Sequence, residues 1–188
     1  MNKINYQKEL DKLIEQNMRE DLSPSLLLHS CCAPCSSYTI EYLSQFFKIT
    51  VLYYNPNISP KEEYEKRKSE QLRLIGEMNT KYPVSFLDFE RLPAKYPISF
   101  VEGTYDKECF YEMARGLEDV KEGGERCFRC YRLRLEKTAK LAKKNNFDYF
   151  CTTLSISPLK NSQKINEIGF ELEKELEKYK IVKDKEEK

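Results

Sequence analysis

The stretch Leu26-Leu27-Leu28-His29-Ser30-Cys31-Cys32-Ala33-Pro34-Cys35 constrains this chain more than any other. A short apolar run bounded by polar residues suits a buried strand of a parallel sheet. Downstream, Ile40, Leu43, Phe46 and Phe47 keep helical spacing and predict a helix over roughly 37–46. A strand feeding a helix puts the three thiols at the strand's C-terminal end, the crevice where open α/β sheets bind ligands. A helix N-terminus there lowers a thiol's pKa and favours thiolate, the form that ligates metal or attacks as a nucleophile.

The rest of the chain repeats this alternation. Lys48-Ile49-Thr50-Val51-Leu52-Tyr53-Tyr54, Val84-Ser85-Phe86-Leu87-Asp88-Phe89 and Tyr149-Phe150-Cys151-Thr152-Thr153-Leu154 read as further strands. Helices are predicted over about 3–20, with Ile4, Leu10, Ile14 and Met18 as a narrow buried stripe, and over about 60–78. The second of these has Ser59 as N-cap and Pro60 at its first position. Further helices are expected near 106–117, from Cys130 to about Lys144, and over about 162–178, followed by a charged tail, Lys183 to Lys188, that should fray. The turn Glu122-Gly123-Gly124-Glu125 and the loops Asn55–Pro60 and Ser155–Lys160 punctuate these elements. Strands alternating with helices imply βαβ units and a mostly parallel sheet with helices on both faces. The expectation is one three-layer α/β domain over residues 1–188, without repeats or linkers.

Composition limits the partners. With a formal net charge of +1, affinity for nucleic acid must come from local patches rather than a global field. No stretch has the length of uncharged apolar residues that spans a bilayer, and Met1-Asn2-Lys3-Ile4-Asn5 lacks a signal peptide's apolar core. A cytoplasmic location is therefore expected. Seven cysteines in a reducing compartment point to metal or redox chemistry rather than a disulfide framework.

Two Cys-x-x-Cys groups, Cys32-Ala33-Pro34-Cys35 and Cys127-Phe128-Arg129-Cys130, lie far apart, with Cys31 adjoining the first. Such pairs across a long gap signal a metal centre, and tetrathiolate sites hold zinc or iron–sulfur clusters. Five thiols exceed the need of a closed zinc site, and adjacent side chains in an extended segment should diverge, which favours an iron cluster or two neighbouring metals. A zinc-stabilised RNA-binding module would use the same cysteines. A thiol–disulfide oxidoreductase would need only Cys32 and Cys35, leaving Cys127 and Cys130 without a role. Isolated Cys109 and Cys151 read as small buried hydrophobes. His29, the single histidine, is either a satisfied core residue or a proton donor beside the thiols. Arg126, Arg129, Arg132 and Arg134 are either a solvated face or, with Tyr53, Tyr54 and Tyr131, a surface for phosphates and stacked bases.

Four blocks carry a resemblance. They are His29 to Cys35; Tyr54-Asn55-Pro56-Asn57-Ile58 with Tyr64 and Arg67; Gly123-Gly124-Glu125-Arg126-Cys127-Phe128-Arg129-Cys130-Tyr131 with Arg134-Leu135; and Thr152-Thr153-Leu154-Ser155-Ile156-Ser157-Pro158. Together and in this order, over roughly residues 25–170, they resemble the cobalamin-independent epoxyqueuosine reductases, which complete queuosine in the tRNA anticodon. The resemblance implies a fold related to the adenine-nucleotide α-hydrolase-like (HUP) group and a [4Fe-4S] cluster with Cys31, Cys32, Cys127 and Cys130 as ligands. It also implies a second, mononuclear iron beside the cluster, for which Cys35 is the remaining thiol. The implied reaction reduces an epoxide to an alkene, drawing two electrons from an external donor and two protons from His29 or a tyrosine. Tyr54, Asn55, Asn57, Arg67, Arg126, Arg134 and Ser157 become candidates for contact with the anticodon loop. Members of that family continue past the last helix into a basic segment with a Cys-Gly-Cys type motif that forms a redox-active disulfide. Here no cysteine follows Cys151.

Overall fold

A computed structural model describes residues 4–80 and 94–186, with side chains through Leu176. Helix α1 (Tyr6–Arg19) starts where the Asn5 side chain accepts the Lys8 N–H at 3.1 Å. Strand β1 (Ser25–Ser30) leads into α2 (Ala33–Leu43), β2 (Lys48–Tyr53), α3 (Lys61–Asn79), β3 (Ser99–Glu102) and α4 (Lys107–Ala114). Helix α5 (Glu125–Lys144), β4 (Tyr149–Thr152), a 3-10 turn at Thr153–Ile156 and α6 (Ser162–Glu186) complete the described chain. The strands form one fully parallel sheet in the order β3-β2-β1-β4.

The two-residue period of β1 sorts the layers. Leu26 and Leu28, with Ile49 and Val51 of β2, pack on Ile14 of α1, Ile40 and Leu43 of α2, and Leu74, Ile75 and Met78 of α3. On the opposite face Leu27 and Leu52 meet Ala142 of α5. Tyr131, Leu135 and Ala139 of α5 then bury Ile165, Ile168 and Leu172 of α6. The result is the expected three-layer α/β arrangement, α1–α2–α3 over the sheet over α5–α6. Among the described residues no helix is long and apolar enough to cross a membrane.

Local differences from the sequence reading have physical causes. Helix α2 begins at Ala33, four residues before the expected start, because Pro34 fits a first turn where its missing N–H costs nothing. Pro60, not Ser59, occupies the N-cap of α3, with Glu62 and Glu63 in the first turn as expected. Helix α5 begins at Glu125, so both Cys127 and Cys130 lie in its opening turns. Ile4 and Met18 are 52% and 64% exposed, and the buried positions of α1 are Ile14 and Asn17. The strand expected over Val84–Phe89 lies outside the described residues. Beside β2 runs β3, which its four-residue length and mostly exposed side chains hid from a pattern search. Asn79 fixes its approach, accepting the Ile98 N–H at 2.8 Å and donating to the Ile98 carbonyl at 2.9 Å. Helix α6 runs on to Glu186, beyond its expected end.

Ile40 is fully buried between α2 and the sheet. Replacing Ile40 with alanine should lower unfolding free energy in urea titrations by about 2–5 kcal/mol. Met18→Ala, on the exposed side of α1, should change it by no more than about 0.5 kcal/mol.

Candidate metal centre

The C-terminal end of β1 is pinned from both faces. On one side Ser30 Oγ lies 2.7 Å from both Ser36 Oγ and Gln71 Oε1, and all three side chains are fully buried. Ser36 Oγ also hydrogen-bonds the Cys32 carbonyl, and Asn55 Nδ2 donates to the Ser30 carbonyl at 2.9 Å. On the other side His29 Nε2 donates to the Tyr54 carbonyl at 3.0 Å. Its Nδ1 therefore accepts the Thr152 hydroxyl proton at 2.8 Å, while Thr152 Oγ1 accepts the Leu154 N–H. Burial, reinforced by the Arg134 charge and opposed by the Tyr54 carbonyl bond, lowers the His29 pKa to about 3. His29 is thus a neutral, satisfied core residue that ties β1 to both neighbouring strands.

With the turn held in this way, Cys31, Cys32 and Cys35 bring their Sγ atoms within 4.8 Å of one another. Cys31 Sγ and Cys32 Sγ stand 3.8 Å apart. This corrects the expectation that adjacent cysteines diverge: with Cys32 extended at the N-cap of α2, the two sulfurs face one point. They compete for a proton. The Cys32 bond, then burial, pushes the Cys31 thiol up, while the same bond holds Cys32 below its ordinary value and burial raises Cys35.

The second thiol pair lines the same cavity as the first, but Cys127 and Cys130 stand outside the group of three sulfurs that lie within 4.8 Å of one another. All five cysteines line one cavity of about 330 Å³, formed where the turn after β1 faces the start of α5. Cys31 and Cys127 also flank the same apolar cluster. The turn before α5 uses Gly123 at φ +82°, and the Gly123 N–H donates to Cys127 Sγ at 3.2 Å. Cys109 and Cys151 do not line this cavity; both are half-buried rather than buried as expected, and desolvation pushes the Cys151 thiol up to about 12.

Of the candidate substrate residues, Asn55, Asn57, Arg67, Arg126 and Arg134 line the cavity, whereas Tyr54 and Ser157 do not. Tyr54 is 6% exposed and packed so tightly under Gly103 that a Cβ there would fall 2.9 Å from the Tyr54 Cβ. Tyr53 is wholly buried, with its hydroxyl donating to the Tyr64 carbonyl. Neither ring is therefore available for base stacking; of the three tyrosines only Tyr131 reaches the cavity wall. Ser157 contributes a carbonyl that accepts the Lys160 N–H, closing the turn before α6. The arginine cluster divides. Arg126 and Arg134 turn to the cavity, Arg129 pairs with Glu125, and Arg132 clamps Glu171 and Glu175 of α6.

Lys160, Phe110 and Glu122 also line the cavity and carried no signal in the sequence. Phe110 lies on the short helix α4, Glu122 in the turn before α5 and Lys160 at the end of the loop before α6, and nothing in the sequence ties these positions to the thiols. Asn55 Oδ1 and Asn57 Oδ1 are buried without a partner among the described residues, which leaves amide acceptors at the same cavity.

A parallel α/β sheet with a sulfur-lined, cation-rimmed crevice at the C-terminal end of its central strand defines the class: an α/β protein built around a thiol site. Residues 26–187 match the family model described as Epoxyqueuosine reductase QueH, and the chain belongs to that family. The relative of that name from Staphylococcus epidermidis is 41% identical over 173 residues, covering 91% of this chain and 68% of the relative. Its counterpart from Streptococcus pyogenes serotype M1 is 41% identical over 172 residues, covering 92% and 63%. That from Staphylococcus aureus is 41% identical over 174 residues, covering 92% and 68%. Part of each relative's own length thus lies outside the match.

Gln71 is the buried partner shared by Ser30 and Ser36. Gln71→Leu should cost about 1–3 kcal/mol by removing the buried acceptor that both hydroxyls share under the thiol turn. Urea unfolding of the metal-free protein measures this.

Proposed function

We propose that this chain reduces the epoxide of epoxyqueuosine in tRNA to queuosine, using an iron–sulfur centre held by Cys31, Cys32, Cys127 and Cys130 and a second iron served by Cys35. The observation that carries the reading is the convergence of five thiols, from two distant segments, on one cavity. The donor set fits: soft sulfur ligands suit iron–sulfur clusters, and Glu122 is the one carboxylate among the described residues of the wall. The family name supports the substrate, and a tRNA substrate sets the cytoplasm as the place of action.

Removing the epoxide oxygen to leave an alkene and water takes two electrons and two protons, with the electrons coming from an external donor. When bound, the iron centre supplies electrons one at a time and a Lewis acid for the epoxide oxygen. The chain's own side chains do the remaining work. Arg67, Arg126 and Lys160 offer positive charge to RNA phosphates, which fix register without reading bases. An anticodon loop is unpaired, so one base can splay into a cavity of this size. The Asn55 and Asn57 amide oxygens are free to accept donors of the bound nucleoside. His29, neutral and enclosed, serves by holding the Tyr54 carbonyl and Thr152 in place. Proton-bearing side chains that line the cavity are Lys160 and Tyr131, whose phenol burial keeps protonated.

Anaerobically purified protein should contain iron and acid-labile sulfide, and it should convert epoxyqueuosine-bearing tRNA to a product lighter by one oxygen in mass analysis. Cys127→Ser and Cys31→Ser should each lose most of the iron and all turnover. Stoichiometric zinc in a colourless protein would replace the reading with a zinc-stabilised RNA-binding module. Full activity in Cys127→Ser would replace it with thiol–disulfide exchange at Cys32 and Cys35. Arg126→Ala should weaken tRNA binding with little dependence on sequence and reduce the slope of log affinity against log salt by about one.

A further inference from the structure

Arg134 is 4% exposed, and a guanidinium does not lose its proton in a protein. Among the described residues its one hydrogen bond runs from Nε to the Cys130 carbonyl at 3.3 Å. Among the described residues no carboxylate pairs with it, whereas Arg129 and Arg132 on the same helix have glutamate partners. A buried cation without a counter-charge is expensive, and proteins keep one where an anion is to be met. Arg134 lies in the wall of the five-thiol cavity. Five thiols share that wall, and a bound metal would hold them as thiolates. Burial also removes Arg134 from the group of side chains that can meet RNA phosphates at the rim.

We infer that Arg134 is the built-in counter-charge of the thiolate–iron centre, acting on its redox poise and retention and not on RNA. This rests on the metal-centre reading above. A thiolate-bound iron centre gains one negative charge with each electron accepted from the external donor. A fixed cation nearby therefore favours the reduced state over the oxidised one and raises the reduction potential. It also lowers the electrostatic cost of gathering thiolates in a partly dry cavity, which slows loss of iron. Arg134 is in this sense a positioning and tuning residue, not a catalytic one.

The test compares wild type, Arg134→Gln and Arg134→Lys as full chains loaded with iron and sulfide. Midpoint potential is read by anaerobic dithionite titration followed by electron paramagnetic resonance, and iron loss by its release rate to a chelator. Affinity for unmodified tRNA is the third readout. Arg134→Gln should move the midpoint to more negative potential and speed iron release roughly tenfold, with tRNA affinity unchanged. Arg134→Lys, which keeps the charge, should stay near wild type in both metal readouts. An unchanged midpoint in Arg134→Gln, or a loss of tRNA affinity matching that of Arg126→Ala, would overturn the inference. If Arg134→Gln takes up no iron, Arg134→Lys decides. A near-native midpoint sustains the role of charge, and failure of Arg134→Lys to load as well overturns it. A wild-type chain that holds no iron sinks the underlying function instead, which keeps the two failures apart.

Discussion

Strand β1 is hydrogen-bonded in parallel to β2 on one side and to β4 on the other, and the thiol site depends on that central placement. A strand buried on both faces cannot slip by one residue without turning Leu26 and Leu28 out of one core layer and Leu27 out of the other. Register is thereby fixed up to Ser30, and the next residue is Cys31. The same constraint makes Ser30 and His29 polar insertions in a dry region, which explains why each is fully bonded: Ser30 to Ser36 and Gln71, His29 to Tyr54 and Thr152. These contacts lock the turn that aims the sulfurs. In this protein the stability of the sheet and the geometry of the site are one problem.

Crowding thiols at that point creates an electrostatic demand, because three sulfurs within 4.8 Å repel one another once ionised. The fold supplies positive charge from several directions. The first turn of α2 carries Cys35, with Cys32 at its N-cap, and the opening turns of α5 carry Cys127 and Cys130, so two helix N-termini meet at the sulfurs. Backbone N–H groups do part of the work directly, as Gly123 does for Cys127. Arg134 adds a full charge from within the wall, and Lys160 one that forms no ion pair among the described residues.

How much of this could be read from residues alone depended on range. Leu26 to Ser30 and Lys48 to Tyr53 were legible as strands because burial on both faces imposes an apolar run, and the thiol pairs stood out by their Cys-x-x-Cys spacing. Helix α5 was legible from Tyr131, Leu135, Ala139 and Ala142, yet its start was not, since Glu125 and Arg126 show no apolar period. Tyr53 and Tyr54 misled: an aromatic beside a loop fits a stacking platform or a core residue equally well by sequence, and only packing against Tyr64 and Gly103 decides. Phe110 reaches the cavity from α4, and Glu122 and Lys160 from loops, by long-range packing that no local pattern encodes.

The four arginines that look alike in sequence have been given different tasks by a helical period. Arg126 and Arg134 are eight residues apart, a little over two turns, and so share the face of α5 that meets the cavity. Arg132 falls on the face that meets α6 and is consumed by Glu171 and Glu175. Depth then separates the two that share a face. Arg126 opens the helix, where its guanidinium donates to the Glu118 carbonyl and remains in reach of solvent, while Arg134 lies far enough along α5 to be covered by the sheet. A phosphate can approach the first, but the second sees only what the cavity holds. With a net charge of +1 over the whole chain, attraction for any anion has to come from such local cations. One helix thus presents one arginine toward solvent and encloses another in the wall of the thiol cavity.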